Sequence, residues 1–242
     1  MSDALIRTQS VIGEAALAKL KASRVAVFGL GGVGGNCVEA LARSGIGTLD
    51  LIDNDEVAES NLNRQLFATV TTVGMKKTDA AEQRIREIAP DVTVNLYPFL
   101  YLPDRSGDIP FEQLDYIVDA IDTVTAKLDL IVRAGECGVP IISSMGTGNR
   151  MDPSRLSIRD IYGTSGDPLA KVMRRELRKR GVGHLTVCAS DEEPVKPIET
   201  GEEKGVRRSI PGSTAFVPAS AGILIASYVV RDLIRGIPRE TE

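Results

Sequence analysis

The apolar positions of this chain fall into two rhythms that alternate along its length. The stretch GEAALAKLKAS at 13–23 puts Ala16, Leu17 and Leu20 on one face of a helix, and RVAVFG at 24–29 is a short β-branched run closed by glycine, the pattern of a strand buried on both faces. GNCVEALARSGIG at 35–47 returns to helical spacing and is stopped by Gly45, and TLDLID at 48–53 reads as a second strand. The alternation continues with a helix at 76–89 halted by Pro90, strands at 92–97 and 116–121, a helix at 126–138, and strands at 140–145 and 156–161. Asp167 and Pro168 open a further helix, a cap residue followed by a proline suited to the first turn. LTVCA at 185–189 alternates like a strand. The segment 190–211 is rich in charge, proline and glycine and is expected to be a long mobile loop. The chain closes on an apolar helix after Pro218, whose most apolar part, 219–230, is too short to span a bilayer.

Strands separated by helical patterns predict an α/β fold: a doubly wound, mostly parallel, Rossmann-like sheet covered on both faces. The 242 residues suit a single domain over 1–242, with a nucleotide-binding core over 1–150 and a C-terminal extension over 151–242. Composition changes this picture little, since 43% hydrophobic and 26% charged residues are ordinary globular values. The net charge of -4 argues against a surface that grips nucleic acid all round, though it leaves room for a local basic face. Cys37, Cys137, Cys188 and the single histidine, His184, lie far apart with no C-x-x-C pair, so neither a zinc framework nor a disulfide scaffold is expected. MSDALIRTQS lacks a basic region followed by an apolar run; no signal peptide and no membrane association are expected, and the cytoplasm is the expected compartment.

The chemistry begins at GLGGVG, where Gly29, Gly31 and Gly34 take the three places of G-x-G-x-x-G between a strand and a helix. The first allows a tight turn, the second lets backbone approach a phosphate, and the third lets helix pack on strand, while the helix amino end favours the anion. Asp53 falls at the end of the second strand, where a carboxylate can accept from ribose hydroxyls. Any adenosine nucleotide offers those groups, so the loop alone does not choose between NAD and ATP. Arg64 and Lys77 do: hydride transfer creates no phosphate charge, whereas cleaving a phosphoanhydride does, and two cations can hold its oxygens. Asp122, just past the strand at 116–121, stands at the same carboxyl edge as an oxygen ligand for a metal.

GLGGVG, DNDEVAESNLNRQ, GMKKTDAA and DAIDTVTAK, in that order and spacing, resemble the adenylating domain shared by ThiF, MoeB and the ubiquitin-activating enzymes. Within that superfamily RTQSVIGEAALAKLKAS, ISSMGTGNRMDPSRL and DPLAKVMRRELRKRG are similar to the tRNA threonylcarbamoyladenosine dehydratase branch. The resemblance covers nearly the whole chain. It implies ATP and magnesium as cofactors, with Gly29, Gly31, Gly32 and Gly34 bordering the phosphates and Asp53 and Asp55 the ribose. It further implies Asn61, Arg64 and Gln65 against the triphosphate, Lys77 neutralising it, Asp122 holding magnesium, and Arg7 reaching into the partner's site in a homodimer. Asp55 equally suits a cap on the following turn, Arg7 a solvated tail residue, Lys76 competes with Lys77, and Asp119, within its strand, suits a structural bond. The implied reaction is ATP-dependent cyclising dehydration: a threonyl carboxylate on a modified adenosine of tRNA attacks the α-phosphorus, pyrophosphate leaves, and intramolecular attack closes a ring.

Two other readings differ in substrate. The superfamily also activates ubiquitin-like or sulfur-carrier protein C-termini, and a sulfur-transfer protein partner belongs to the same set of expectations. The lack of C-x-x-C pairs weakens it, as does LTVCA, which makes Cys188 a buried structural thiol. A nicotinamide-binding module without ATP chemistry is the third. For a tRNA anticodon arm, the basic run Arg174, Arg175, Arg178, Lys179 and Arg180, joined by Arg150, Arg155, Arg207 and Arg208, offers a path for phosphates. The same run is also what a solvated helix face paired through Glu176 looks like. His184 could serve as a base, and it equally suits a structural place beside a strand.

Overall fold

The computed structural model describes residues 3–198 and 211–239. Seven strands form one sheet in the order β3-β2-β1-β4-β5-β7-β6. They are β1 (Arg24–Phe28), β2 (Thr48–Ile52), β3 (Thr93–Tyr97), β4 (Tyr116–Asp119), β5 (Ile141–Ser144), β6 (Leu156–Asp160) and β7 (Thr186–Ser190). All neighbours pair in parallel except β6, which runs antiparallel to β7 at one edge. The central strands are nearly continuous buried runs, as parallel strands covered on both faces must be. After β1 the chain builds outward through β2 and β3, then returns to add β4 on the other side of β1. That reversal opens a crevice at the carboxyl ends of β1 and β4.

One face of the sheet is covered by α2 (Glu14–Ala22), α3 (Gly32–Ser44), α4 (Lys77–Ile88) and α7 (Phe216–Leu233), and the other by α5 (Val124–Glu136) and α6 (Pro168–Lys179). A short α1 (Ile6–Ile12) precedes them. The α3 helix stops as its sequence predicts, on Gly45 in the left-handed conformation at φ 92°, where glycine avoids a steric penalty. Its start differs: the helix begins at Gly32, so the glycines themselves form its first turn. Their low helix propensity is overridden because a Cβ at Gly34 would sit 1.8 Å from the Gly29 carbonyl oxygen. The α6 amino end is capped by the Asp167 carboxylate, which accepts the Ala170 N–H at 2.9 Å. The last helix also begins earlier than expected, at Phe216, and Pro218 falls in its first turn, where backbone N–H groups have no helical partner to lose. Its length and composition match those of a membrane span, yet Val217, Ala221, Ile225 and Val229 pack into the core with α3. Of the expected loop at 190–211, Ser190 ends β7, and the described residues 191–198 and 211 lie in no helix or strand. Arg207 and Arg208 lie outside the described residues.

Candidate active site

A cleft of about 740 Å³ opens at the crevice between the ends of β1 and β4. Its floor is the glycine loop, with Gly29, Gly31 and Gly32 on the wall. Gly29 has φ 89°, and a Cβ there would lie 2.7 Å from the Ala120 carbonyl oxygen, so the loop folds flat against the segment after β4 only without a side chain. Gly34 lies beneath this surface and serves the close packing, not the wall.

Asp53, just past β2, accepts the Leu30 N–H at 2.7 Å and the Asp55 N–H at 2.8 Å, which ties the end of β2 to the glycine loop. Burial pushes its carboxyl above the usual range, against the lowering effect of Lys77 and these two N–H groups. Lys77 and Lys76 separate cleanly. The Lys77 side chain is 8% exposed, lies on the cleft wall, and reaches Asp55 at 2.7 Å and Asp53 at 3.9 Å, whereas Lys76 pairs outward with Glu56. Arg64 is held with one guanidinium nitrogen donating to the Ser60 carbonyl at 2.7 Å and to Asn63 Oδ1 at 2.9 Å. Asn61 lines the cleft while its Oδ1 caps the Ala58 N–H, and Gln65 is buried beside Gly31. Asp122 and Thr123 complete the opposite wall from the segment after β4. Asp119 does not share that position: it is fully buried and bonded to Lys127 and Ser143.

The cleft wall thus gathers two cations, Arg64 and Lys77, with the carboxylates Asp53, Asp55 and Asp122 around the glycine loop. Among the described residues there is no group of three or more His, Cys, Asp or Glu able to cage a metal. One exposed carboxylate beside a phosphate loop still fits a magnesium ion carried in by the nucleotide, since that ion keeps several waters and takes few protein ligands. Phe99, Leu100 and Tyr101, which follow β3, and Ile121 add an apolar wall able to take a flat ring. Sequence reasoning missed these four. The aromatic cluster in YPFLY, directly after a strand that ends at the same sheet edge, was the available signal.

Several expected residues stand elsewhere. Arg7, on α1, is exposed and is not on the wall of its own chain's cleft. Arg150 is no surface phosphate ligand: it is buried, pairs with Asp167 at 3.3 Å, and donates to the carbonyls of Gly146 and Glu192, locking the segment after β5 to the start of α6. Arg155 pairs with Asp191. In the basic run Arg174 donates to Thr164 and Arg178 lies over the Tyr162 ring at 5.0 Å. Arg175, Lys179 and Arg180 all engage Glu176. Hydrogen bonds from Lys179, Arg175 and Arg180 hold the Glu176 carboxyl down to about 2, so the solvated-face pairing read from the sequence is present. Arg180 also lies beside Tyr116, Ile141 and Thr186, which begin β4, β5 and β7, so the run ends at the sheet edge opposite the cleft.

The sequence model of the ThiF family matches residues 3–240. The chain belongs to the ThiF family. It is 41% identical over 240 residues to the tRNA threonylcarbamoyladenosine dehydratase of Bacillus subtilis (strain 168), covering 96% of this chain and 94% of that one. It is 31% identical over 252 residues to the enzyme of the same name from Escherichia coli (strain K12), with coverage of 96% and 94%. The crystal structure of the E. coli protein in complex with ATP superposes with a TM-score of 0.86 over 95% of this chain and 93% of that one. The ThiF-family fold therefore extends over both the glycine-loop half and the C-terminal half of the molecule.

Proposed function

We propose that this chain catalyses the ATP-dependent cyclising dehydration of threonylcarbamoyladenosine in tRNA. The observation that carries the reading is the convergence of Arg64, Lys77 and Asp122 on a phosphate-binding glycine loop, in a chain similar end to end to dehydratases of that name. Within the cleft the nucleotide's ribose lies by Asp53, its phosphates along Gly29, Gly31 and Gly32, and its base against Phe99, Leu100 and Ile121. Lys77, held ready by Asp55, and Arg64, held by Ser60 and Asn63, neutralise charge as pyrophosphate departs. Asp122 would hold a magnesium ion, which when bound would add to the neutralisation of the phosphate oxygens. The substrate carboxylate attacks the α-phosphorus, and the activated acyl group is then captured within the same substrate, with AMP leaving. That second nucleophile is already tethered, so the protein's share is position and charge, and no enzyme nucleophile is required. Among the described residues the cleft wall carries no cysteine, which favours this reading over transfer to a carrier protein or a sulfur-transfer partner. The exposed Arg175, Arg178, Lys179 and Arg180 are proposed as tRNA phosphate contacts remote from the chemistry.

The test is pyrophosphate release from ATP with three candidate stimulants: tRNA carrying threonylcarbamoyladenosine, the same tRNA without it, and a carrier protein ending in glycines. Release that depends on the modified tRNA is expected. Asp122→Ala and Arg64→Ala should each lower it by at least about 100-fold with the fold intact by circular dichroism. Stimulation by the carrier protein alone transfers the reading to protein activation, and NADH binding without ATP binding ends both.

A further inference from the structure

Lys127 is fully buried, and so is Asp119, its partner at 2.9 Å. A buried ion pair is a poor way to stabilise a core, because desolvating both charges cancels most of their attraction. What this pair grips is more informative than its strength. Lys127 Nζ donates to the Ile121 carbonyl at 3.1 Å, and Asp119 accepts the Ile121 N–H at 3.2 Å. Both backbone polar groups of Ile121 are therefore held by one ion pair, directly before Asp122. Ser143 on β5 fixes the second Asp119 oxygen, so the clamp is anchored in the neighbouring strand. The clamped segment, Ala120 to Thr123, forms the cleft wall and abuts the glycine loop at Gly29.

We infer that Lys127 and Asp119 are positioning residues, which fix the backbone on either side of Ile121 and so aim Asp122 into the nucleotide cleft. The lysine sits on α5 and the aspartate at the end of β4, so the wall is set by packed elements and not by the loop itself. The inference rests on the adenylating reading for its catalytic consequence but not for the clamp.

The test uses the full-length protein and two double variants. Asp119→Leu/Lys127→Met removes both arms, and Asp119→Asn/Lys127→Met preserves shape and the carbonyl that accepts from Ile121 while deleting the lysine donor. Removing both charges together leaves no uncompensated buried ion, but it takes the partners of the Ile121 N–H and C=O and of Ser143, so a lowered thermal midpoint in a still-folded variant is expected. Amide hydrogen exchange at Ile121, Asp122 and Thr123 should accelerate, ATP affinity should weaken, and pyrophosphate release should fall by about 100-fold, the scale expected for misplacement of about an ångström. The isosteric variant should show smaller changes of the same kind, and it carries the test alone if the first does not fold. Wild-type exchange and ATP affinity in a folded variant would overturn the clamp. A wild-type protein that releases no pyrophosphate would instead overturn the adenylating reading and leave the exchange and affinity results to decide the clamp.

Discussion

The three cysteines have sharply different surroundings. Cys37 on α3 and Cys188 on β7 are buried in the same core cluster, while Cys137 after α5 is exposed. Burial pushes the Cys188 thiol up to about 12 and raises that of Cys37 as well, so neither forms thiolate at neutral pH. One thiol, Cys137, should therefore react rapidly with a thiol reagent in the native protein, and three after denaturation. Cys137→Ser should abolish the fast phase and leave pyrophosphate release unchanged, because Cys137 is away from the cleft wall. A second fast thiol in the native state would mean that Cys37 or Cys188 is open to solvent and not held in the core. Spacing in the sequence foresaw a structural Cys188, since LTVCA alternates, but left Lys76 against Lys77 open. The two lysines are adjacent, and only the three-dimensional partners, Glu56 for one and Asp55 for the other, tell them apart. Lys127 escaped notice for a related reason: on a helix, a lysine reads as solvent-facing until the packing puts it inside.

At the scale of elements, α3 and α7 cross where a Cβ at Gly222 would lie 2.4 Å from the Val33 carbonyl oxygen and 2.9 Å from Cys37 N. Helix propensity favours alanine over glycine by about 1 kcal/mol, so on local grounds Gly222→Ala should stabilise α7. The opposing atoms are backbone and cannot rotate away, and forcing the helices apart costs about 1–3 kcal/mol by the usual penalty of overpacking. The net expectation is destabilisation, read as a lower denaturant midpoint with an unchanged slope. Gly135 near the end of α5 is the control: a Cβ there meets nothing within 4 Å, and Gly135→Ala should raise the midpoint. A raised midpoint for both would mean that α3 and α7 do not meet this closely. The alternation of strands and helices was legible because each strand is buried on both faces, which leaves a continuous apolar run. Helix starts were not: at Gly32 and Phe216, packing against the sheet and α3 outweighs the local signals of glycine and proline. The cleft was legible through its polar residues, while its apolar wall was hidden because Phe99 and Leu100 follow a strand in a segment with no phosphate-binding motif.

For the whole molecule the position of Arg7 is decisive. Leu5, two residues before it, lies beside Thr48 and Thr93, the first residues of β2 and β3, whereas the cleft lies past the last residues of the same sheet. A five-residue strand spans about 16 Å, so Leu5, just before α1, and the cleft of the same chain occupy opposite sheet edges. An arginine side chain that acts on the nucleotide from α1 must then come from a second copy, as the family resemblance implies. Complementation tests this directly. In the dimer that the family resemblance implies, Arg7→Ala and Asp122→Ala should each be inactive alone. Mixing them should restore activity, because in a mixed dimer the cleft with native Asp122, on the Arg7→Ala chain, receives native Arg7 from its partner. The other cleft lacks both. If Arg7 served its own chain, each cleft in the mixture would lack one residue and activity would stay absent. If Arg7 were only a solvated tail residue, Arg7→Ala would be active from the start. Three arrangements give three different results, and the geometry of the single chain favours restored activity.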